Sequence, residues 1–360
     1  MIEISPDLIS GKKVLLRYDI DVPIENGRVV EEFRLKAGLP TLRLCLENAS
    51  EIIILGHIGR PGGREVPELS VEPIYDWLVN HEDLRSHLST PSTSLSVDPE
   101  FTEGSSGKLK LLENLRFEKG EEDCDENYAK ELASYGDFYV NEAFAAHHKA
   151  ASTTVLPTLL PHAAGLRFAE EVKKLTEIRE NPKRPLVVII GGVKIEDKLP
   201  AIEAMAKIAD YVIVGGKIVH ALQSDRDPSP ASPVQDDHAT GGSNVHVGQL
   251  TSDGMDISEE TVERWKTIIK DAKMVVWNGP LGKVDSGQWT VDSLGTTRGT
   301  YDIAKAVIES GAESIIGGGD TISVLSKMGF LSKFSFVSTG GGAMLKFLSK
   351  GTLPTIQALE

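Results

Sequence analysis

A chain of 360 residues is longer than a single hydrophobic core usually sustains, so its length predicts two domains. Its 40% apolar and 25% charged residues are those of an ordinary soluble protein, and no apolar run approaches the roughly 18 residues that a membrane helix needs. The formal net charge of -15 argues against a nucleic-acid-binding surface, although local basic clusters can still bind anions.

The start of the sequence, MIEISPDLIS, lacks the basic and apolar regions of a signal peptide, so we expect a cytoplasmic protein. Cys45 and Cys124 are too few and too scattered for a zinc site or a disulfide framework, and we interpret both as reduced thiols. No feature of the sequence indicates an oligomer, and we expect a monomer.

Four apolar runs in the first half of the chain end in polar or basic residues, and we interpret them as strands of an α/β unit. The runs are KVLLRYDIDV, EIIILGHIGR, KLKLLENLRF and DFYVNEAF. The basic residues at their ends are Arg17, His57, Arg60, Arg116, His148 and Lys149. One such arginine is more often a surface charge, but several from separate strand ends favour convergence on a phosphate or carboxylate.

The fourth run continues into AAHHKAAS, which places His147 and His148 beside Lys149. Three hypotheses stand for this segment: a metal site, an anion site or a polar loop. The metal site is the weakest of them, because no third ligand lies at a helpful spacing. Residues 165–180, GLRFAEEVKKLTEIRE, follow with apolar residues at helical spacing, and NPKRP then ends the helix. We place the connection between the two domains there.

The second half of the chain repeats one local pattern, in which a short β-branched apolar run stops at glycine. The runs occupy residues 186–192, 211–216, 274–279, 314–319 and 336–342. Segments with helical spacing lie between most of them, at 195–208, 258–272, 301–309 and 343–348. Buried strands that alternate with helices predict a parallel sheet, and such sheets bind ligands at their carboxyl ends. The predicted fold class is therefore α/β, with two doubly wound parallel-sheet (Rossmann-like) domains joined by a hinge helix.

Glycine-rich segments at these strand ends suit phosphate binding. In STGGGA, residues 338–343, three glycines let backbone N–H groups converge on an anion at the positive end of a helix dipole; the alternative is a tight turn. In GGVKIEDK, Lys194 and Lys198 share one face of a predicted helix, where they either meet phosphate charge or are merely solvated. In GGGDT, Asp320 either takes part in a Mg²⁺ site at nucleotide phosphates or caps the next helix.

Two common nucleotide motifs are missing from the sequence. Neither the Walker pattern G-x-x-x-x-G-K-[ST] nor the dinucleotide fingerprint G-x-G-x-x-G occurs, which disfavours an ordinary P-loop and an NAD-dependent dehydrogenase. The segment 224–244 is rich in Pro, Ser, Gly and Asp, and we expect a long mobile loop there.

Together the motifs resemble those of phosphoglycerate kinases over nearly the whole chain. In the first half, RYDIDVP resembles the family's R-x-D-x-N-V-P, GHIGRPGG its S-H-L-G-R-P-x-G, LLENLRF an identical motif, and VNEAFAAHHKAAS its V-N-D-A-F-G-T-A-H-R-A-H-x-S. In the second half, GGVKIEDK resembles G-G-A-K-V-x-D-K, VVWNGPLGKVD resembles x-x-W-N-G-P-x-G-x-F-E, and GGGDT and STGGGA are intact. The closing LPTIQAL resembles L-P-G-V-x-A-L, which in that family packs back on the N-terminal domain.

The resemblance implies reversible transfer of the 1-phosphoryl group of 1,3-bisphosphoglycerate to MgADP, which gives 3-phosphoglycerate and MgATP. It implies an N-terminal phosphoglycerate-binding domain at residues 1–164 with the tail 352–360, a hinge helix and linker at 165–180, and a C-terminal nucleotide-binding domain at 181–351. The implied ligands are Mg²⁺, ADP or ATP and the phosphoglycerates, without a nucleic-acid or membrane partner.

Residues that match the family's motifs take the implied roles. Those implied to hold the acid substrate are Asp19, Asp21, Arg34, His57, Arg60, Arg116, His148 and Lys149. Those implied to bind the nucleotide are Gly192, Lys194, Lys198, Gly215, Gly216, Asn278, Asp285, Gly318, Gly319, Asp320, Thr321, Gly340 and Gly341. Within these sets, the resemblance places Arg34, Lys194 and Gly341 at the transferring group, and it makes Asp320 the Mg²⁺ ligand.

The chain departs from the family's pattern at several positions. Asp21 replaces an asparagine, which puts an anion in a site for an anionic substrate, and Lys149 replaces an arginine, which removes the bidentate fork. His147 falls where a small residue is usual. The chain is also shorter than the family's between Gly216 and Trp277, where we expect NVHVG to keep the strand and the preceding helix to be lost. The alternative to an active kinase is therefore a catalytically weak homologue that acts as a nucleotide-binding or interaction protein.

Overall fold

The computed structural model describes residues 1–81, 84, 108–193, 195–219, 244–284 and 297–360, without the side chains of 195–197. The chain divides into two compact units, which are Met1–Lys173 together with Thr352–Glu360, and Lys174–Gly351. Within the described ranges, no helix is both long enough and apolar enough to cross a membrane.

The first unit is built on a five-stranded sheet with a small hairpin beside it. The strands are β1 (Lys13–Arg17), β2 (Ile24–Glu25), β3 (Arg28–Val29), β4 (Glu51–Leu55), β5 (Leu109–Leu111), β6 (Phe138–Asn141) and β7 (His162–Ala164). The α-helices are α1 (Pro6–Ile9), α2 (Phe33–Asn48), α3 (Glu72–Asn80), α4 (Lys119–Glu122) and α5 (Glu126–Ala133), with a C-terminal helix at Pro354–Gln357. Shorter helical turns lie at Pro67–Leu69, Leu115–Phe117, Ala151–Val155 and Leu156–Thr158.

The sheet of the first unit is parallel throughout and has the strand order β5-β4-β1-β6-β7. With the hairpin of β2 and β3 set aside, this is the order 3-2-1-4-5 along the chain. Rossmann-type folds have this order, and their winding direction reverses between the first and fourth strands. The switch point therefore lies between β1 and β6, where Arg17 pairs with Asn141.

Apolar side chains anchor the strands at this switch point. Leu16 of β1 and Ile54 of β4 are adjacent in register, and both are fully buried. Leu35 and Leu39 of α2 belong to the same buried cluster. Burial of each such side chain contributes about 1.5–3 kcal/mol, so the cluster holds the strand ends, and the loops that follow them, in fixed positions.

Helix α6 (Leu166–Glu180) contains the boundary between the two units. Its first turn is held by Glu142, whose carboxyl oxygens accept hydrogen bonds from the backbone N–H groups of Arg167 and Phe168, both at 3.2 Å. Thr41 Oγ1 accepts another, at 2.8 Å, from the first N–H of the helix. These side chains satisfy backbone donors that have no partner within the helix.

The second unit is built on a six-stranded parallel sheet. Its strands are β8 (Leu186–Ile190), β9 (Tyr211–Val214), β10 (Val245–Val247), β11 (Met274–Asn278), β12 (Glu313–Gly317) and β13 (Phe336–Val337). Its α-helices are α7 (Ile195–Met205), α8 (Glu259–Lys270), α9 (Arg298–Ser310), α10 (Gly319–Lys327) and α11 (Gly341–Lys350), and a short helical turn lies at Leu331–Lys333.

The strand order of this sheet is β10-β9-β8-β11-β12-β13, or 3-2-1-4-5-6 along the unit. The switch point lies between β8 and β11, where Ile190 pairs with Asn278. Every residue of these two central strands is buried, because helices cover both faces of a doubly wound sheet. This explains the uninterrupted apolar runs in the sequence.

The two doubly wound α/β domains predicted from the sequence are confirmed, since both main sheets are parallel, whereas the hinge role of the joining helix stays a prediction. All nine apolar runs named above form strands, and Val245–Val247 is the strand predicted in NVHVG. No sequence pattern described above predicts α2 or α3; α2 contains Pro40, an ordinary signal against a helix interior. The predicted loop at 224–244 lies, apart from Asn244, outside the described residues.

Candidate functional site

The loop after β1 begins the candidate site of the first unit, at the switch point where open α/β sheets usually bind ligands. It carries Asp19 and Asp21. Asp19 is only 6% exposed, and burial raises the pKa of its carboxyl while the positive charge of Arg34 opposes the shift. One of its oxygens, Oδ2, is buried without a hydrogen-bond partner among the described residues. The site therefore holds an acceptor with free capacity.

Arg34 lies in the first turn of α2 and contacts both aspartates. Its Nη1 donates to the backbone carbonyl of Asp21 at 2.6 Å and lies 3.7 Å from Asp19 Oδ1 and 4.0 Å from Asp21 Oδ2. The side chain of Arg34 remains 22% exposed. The aspartates thus orient a guanidinium that a ligand can still reach.

The loop after β4 connects Asp21 with a second arginine. Asp21 Oδ1 accepts a hydrogen bond from the Gly59 N–H at 3.0 Å, and the Gly59 carbonyl accepts one from Arg116 Nη1 at 2.7 Å. Gly59 has a φ of 62°, a left-handed conformation that glycine adopts without strain. Burial lowers the pKa of Arg116, which also lies 3.5 Å from Glu122. The Gly59 peptide therefore links three elements of the site.

His57, two residues beyond β4, is buried among guanidinium groups. Its Nδ1 lies 2.5 Å from Nη2 of Arg17, the last residue of β1. Burial lowers the pKa of His57 well below its usual value, and nearby positive charges lower it further, so the ring is neutral at neutral pH. We refer to these residues as the basic cluster, whose members are Arg17, Arg34, His57, Arg60 and Arg116.

The remaining predicted acid-site residues, His148 and Lys149, are exposed, as is Arg60. The rings of His147 and His148 lie 4.1 Å apart between centroids. Among the described residues, no group of three or more His, Cys, Asp or Glu side chains is arranged to hold a metal ion. The contacts given above join Asp21 to Arg34 and Arg116, whereas Lys149 forms no ion pair within the described part of the chain.

In the second unit, backbone segments at the ends of β8, β9 and β11 lie very close together. A Cβ atom on Gly216, whose φ is 73°, would lie 2.7 Å from Gly192 N and 3.0 Å from Pro280 O. The amine of Lys198, in α7, donates a hydrogen bond to the carbonyl of Gly191. Such crowding excludes side chains and leaves backbone groups and a lysine at the sheet edge, as phosphate sites require.

A second group of glycines lies at the ends of β11, β12 and β13. Asn278, only 5% exposed, donates from Nδ2 to the Gly341 carbonyl at 3.1 Å. A Cβ atom on Gly341 would collide with the backbone of Gly318. Thr321 Oγ1 accepts a hydrogen bond from the Gly279 N–H at 2.8 Å. The starts of α10 and α11 are therefore fixed against the end of the central strand β11.

The other predicted nucleotide-site residues follow the same strands: Gly215 follows β9, Gly319 and Asp320 lie in the first turn of α10, and Gly340 precedes α11. Asp320 is exposed. Lys194 and Asp285 lie outside the described residues. The described residues of this set thus share one edge of the sheet, where two helices of eight or more residues begin.

Arg17 is predicted at a strand end but is not among the predicted site residues. The structure shows it 1% exposed, with its Nε donating to Ser152 Oγ at 3.0 Å. Ser152 in turn donates to Glu121 Oε1 at 2.6 Å. A charged residue that ends a buried apolar strand is a usable signal for Arg17. Ser152 and Glu121 lie 31 residues apart in the sequence, and no local sequence pattern connects them.

Comparison with known proteins gives matches over nearly the whole chain. The family model described as phosphoglycerate kinase matches residues 5–229 and 228–351. A phosphoglycerate kinase of Leptospira biflexa is 33% identical, over 98% of this chain and 96% of the relative. That of Salinibacter ruber is 34% identical, over 98% of this chain and 97% of the relative.

Solved structures give the same result. The phosphoglycerate kinase of Coxiella burnetii matches with a TM-score of 0.76 and 29% identity, over 99% of this chain and 98% of that chain. The phosphoglycerate kinase of Pyrococcus horikoshii OT3 matches with a TM-score of 0.80 and 26% identity, over 100% of this chain and 98% of that chain. The similarity therefore extends over both units.

Proposed function

Because the chain belongs to the phosphoglycerate kinase family, we propose that its basic cluster binds the acid substrate and that the glycine-lined strand ends of its second unit bind the nucleotide. The reaction is the reversible transfer of the 1-phosphoryl group of 1,3-bisphosphoglycerate to ADP, which gives 3-phosphoglycerate and ATP. In the reverse direction, a carboxyl group is the phosphoryl acceptor. One observation carries the assignment of sites: the chain has two Rossmann-type switch points, one lined by arginines and the other by glycines.

The first unit offers positive charge to a substrate that has a carboxylate and a phosphate. The side chains of Arg34 and Arg116 are 22% and 18% exposed, so an anion can reach guanidinium groups that the protein already orients. A guanidinium can bind either anion through two parallel hydrogen bonds. Arg60, His148 and Lys149 are exposed, and we assign them to the same anion-binding surface.

The aspartates of the site have a different role from the arginines. Asp19 and Asp21 hold Arg34, and Asp21 also holds the Gly59 peptide. The buried Oδ2 of Asp19 has no partner among the described residues, and the hydroxyl group of the glycerate is a donor of the kind that it needs. A buried acceptor of this kind favours a hydroxy acid over a simple dicarboxylate.

The second unit offers mainly backbone N–H groups to the phosphates. Gly318 and Gly319 at the start of α10, and Gly340 and Gly341 at the start of α11, place no side chain over the positive ends of these two helices. Asn278 supports this arrangement through its bond to Gly341. The N-terminal ends of α10 and α11 are our assignment for the nucleotide phosphates.

Side chains complete the proposed nucleotide site. We assign positive charge near Gly192 to Lys194 and Lys198. We place Gly215 and Gly216 beside the nucleotide, at positions where a side chain would clash with neighbouring protein atoms. Thr321 fixes the backbone after β11. Asp285 takes the place of the ribose-binding glutamate in the family's motif.

A Mg²⁺ ion bound with the nucleotide fits Asp320. Its carboxylate is exposed in the first turn of α10, at the helix end that we assign to the phosphates. Mg²⁺ commonly takes one or two carboxylates and fills its other positions with phosphate oxygens and water, so a larger acidic cluster is not required. When bound, the ion neutralises charge on the phosphate oxygens.

The chemistry needs neither a nucleophilic side chain nor a general base, because the attacking atom is already a carboxylate or phosphate oxygen. The protein's task is to align the two oxygens with phosphorus and to stabilise charge on the transferring group. We assign this stabilisation to Arg34, Lys194 and the N–H of Gly341. Preorganised donors of this kind are commonly worth about 10²–10³-fold in rate each.

In-line transfer requires the two units to bring their ligands together. We propose domains at 1–164 with 352–360 and at 181–351, joined by residues 165–180, with α6 as the hinge element. Small-angle scattering with and without both ligands tests this proposal. Curves that stay superimposable when both ligands bind would count against domain closure.

We propose further that the enzyme works as a monomer in the cytoplasm and binds neither nucleic acid nor membranes. Its formal net charge of -15 and its small anionic substrates support this setting. Light scattering during size-exclusion chromatography tests the monomer. A mass well above the 39.0 kDa of one chain would contradict it.

A coupled assay with 3-phosphoglycerate and MgATP tests the function. We expect turnover by the parent protein and a loss of about 10²–10³-fold in kcat for Arg34→Ala. Arg43→Ala, an exposed arginine on the same helix and outside the basic cluster, is the matched control and should retain kcat. A parent protein that folds and binds nucleotide without turnover would instead support the catalytically weak homologue.

A further inference from the structure

Each of the three guanidinium nitrogens of Arg17 has a hydrogen-bond partner within the protein. It is 1% exposed, and Nη1 donates to the backbone carbonyl of Tyr18 at 3.0 Å while Nε donates to Ser152 Oγ at 3.0 Å. Nη2 lies 2.5 Å from Nδ1 of His57. A guanidinium carries only donors, so this third bond requires the lone pair of Nδ1.

A buried acid anchors the opposite side of Arg17. Ser152 donates from its hydroxyl to Glu121 Oε1 at 2.6 Å and from its backbone N–H to Oε2 at 2.9 Å. Ser152 is fully buried, and Glu121 is 1% exposed. The buried cation is therefore balanced by a buried carboxylate one hydroxyl group away, and the chain of bonds fixes its orientation.

The contacts of His57 allow its ring only one protonation form. Nδ1 accepts from Arg17, so a neutral ring carries its proton on Nε2, which makes no hydrogen bond within the described residues. A second proton on Nδ1 would face the guanidinium donor. The groups that oppose a charged ring come from β1, α2, the loop after β4 and the turn after β5, and they are Arg17, Arg34, Arg60 and Arg116.

We propose that Arg17 is a positioning residue that holds His57 as a neutral Nε2–H donor to the acid substrate, and that Glu121 and Ser152 hold Arg17 for this purpose. The identity of the ligand rests on the proposed function, whereas the form of the ring follows from contacts inside the first unit. An imidazole free on both sides exchanges between two tautomers and the charged form. A ring held in one form presents a single donor in a fixed direction.

Nitrogen-15 spectra of histidine-labelled protein, assigned with His57→Gln, measure the proton on each ring nitrogen. We expect the parent ring to carry its proton on Nε2 and not to titrate between about pH 5 and pH 8. In Arg17→Met, Nδ1 is no longer held as an acceptor, so the buried neutral ring should carry its proton on Nδ1 as well as on Nε2. A parent ring protonated on Nδ1, or an Arg17→Met ring that behaves like the parent ring, overturns the proposal.

Arg60→Met is the matched control for charge. It also removes one guanidinium that acts on His57, but it leaves the bond between Arg17 and Nδ1 in place. The ring should therefore keep Nδ1 unprotonated over the same range. Equal protonation of Nδ1 in Arg60→Met and Arg17→Met would show that charge alone governs the ring and would overturn the positioning role.

Ser152→Ala keeps the proposal testable if Arg17→Met fails to fold. It retains Arg17 but removes the hydroxyl that joins it to Glu121, so we expect the His57 ring to exchange between forms more than in the parent protein. A ring indistinguishable from the parent ring in a folded Ser152→Ala protein would overturn the anchoring part of the proposal.

Kinetics show whether Arg17 acts through His57. We expect Arg17→Met and His57→Ala each to raise KM for 3-phosphoglycerate about tenfold, with smaller changes in kcat. The double variant should lie within about threefold of His57→Ala, since residues that act through one contact are not additive. Fully additive effects would contradict the proposal. A parent protein without turnover would refute the proposed function but not the positioning role of Arg17, because the nitrogen-15 result does not depend on activity.

Discussion

The Oδ1 atom of Asp21 accepts a hydrogen bond from the backbone N–H of Gly59 at 3.0 Å. The amide oxygen of an asparagine can accept the same bond, so the bond itself does not require a charge. The other oxygen, Oδ2, lies 4.0 Å from Arg34 Nη1, and the Asp21 side chain is 41% exposed. Its negative charge therefore competes with an anionic ligand for Arg34.

Asp21→Asn should lower KM for 3-phosphoglycerate about three- to tenfold, because removal of a partly exposed charge next to Arg34 is worth on the order of 1 kcal/mol to an anion. The value of kcat should change little, since the bond to Gly59 is retained. Asp76→Asn, an exposed acid in α3, is the control and should leave KM unchanged. A KM that rises or stays constant in Asp21→Asn would show that the carboxylate itself serves the substrate.

Lys149→Arg should also lower KM for the acid. Lys149 is exposed and supplies charge without the planar fork with which arginine binds carboxylate or phosphate. We expect a decrease of about threefold, because one added hydrogen bond to a charged group is typically worth about 1 kcal/mol or more. Lys149→Ala should raise KM. Equal KM values for the three proteins would remove Lys149 from the binding site.

Gly341→Ala should weaken nucleotide binding at least tenfold and lower the melting temperature. The new Cβ would collide with the backbone of Gly318 at the starts of α10 and α11, and a clash between backbones cannot be relieved by a rotamer change. Gly319→Ala is the steric control, because nothing lies within 4 Å of its Cβ position. It should keep the melting temperature of the parent. Titration calorimetry with MgADP measures affinity, and unchanged affinity in Gly341→Ala would contradict the assigned phosphate site.

Glu142 gives the first unit a stability that depends on pH. Burial raises the pKa of Glu142 to about 8, whereas 4.5 is its ordinary value. Between these values, the folded protein retains a proton that the unfolded chain has lost, so the free energy of unfolding falls as pH rises through this window. The fall approaches about 1.4 kcal/mol per pH unit at most.

Glu142→Gln removes this titration, although it also weakens the cap on α6. The free energy of unfolding of the variant, relative to the parent protein, should therefore increase from about pH 5 to pH 8. Urea unfolding at several pH values measures the difference. Parallel profiles for the two proteins would show that Glu142 does not titrate differently in the folded protein.

The strands were accessible to prediction because each leaves a local pattern. LVVII in β8 and MVVWN in β11 are buried at every position, so their apolar runs are unbroken and end where glycine begins. Helix α2 lacks so clear a signal, since Pro40 interrupts it and its burial depends on packing against the sheet. Local propensity decides the first case and tertiary contacts decide the second.

The site residues likewise divide into those that stand in local sequence motifs and those whose contacts depend on the tertiary fold. Asp320 and the glycines of STGGGA follow predicted strands, so their positions could be inferred, whereas Arg34 is assigned through the family resemblance and lies in a helix. The bond between Arg17 and Ser152 spans 135 residues, and the bond of Glu142 to the start of α6 spans 25 or more. Such contacts depend on how strands are ordered in the sheet, which a single sequence does not display.

We propose direct phosphoryl transfer between a ligand on the basic cluster and a nucleotide on the glycine-lined edge. Mixing excess protein with MgATP labelled in the γ-phosphate and with 3-phosphoglycerate, followed by rapid separation of protein and small molecules, tests it most directly. We predict that the label passes to the acyl phosphate of 1,3-bisphosphoglycerate in one phase, with none on the protein. Label that stays on ATP while both ligands are bound, or that accumulates on the protein, would contradict the account.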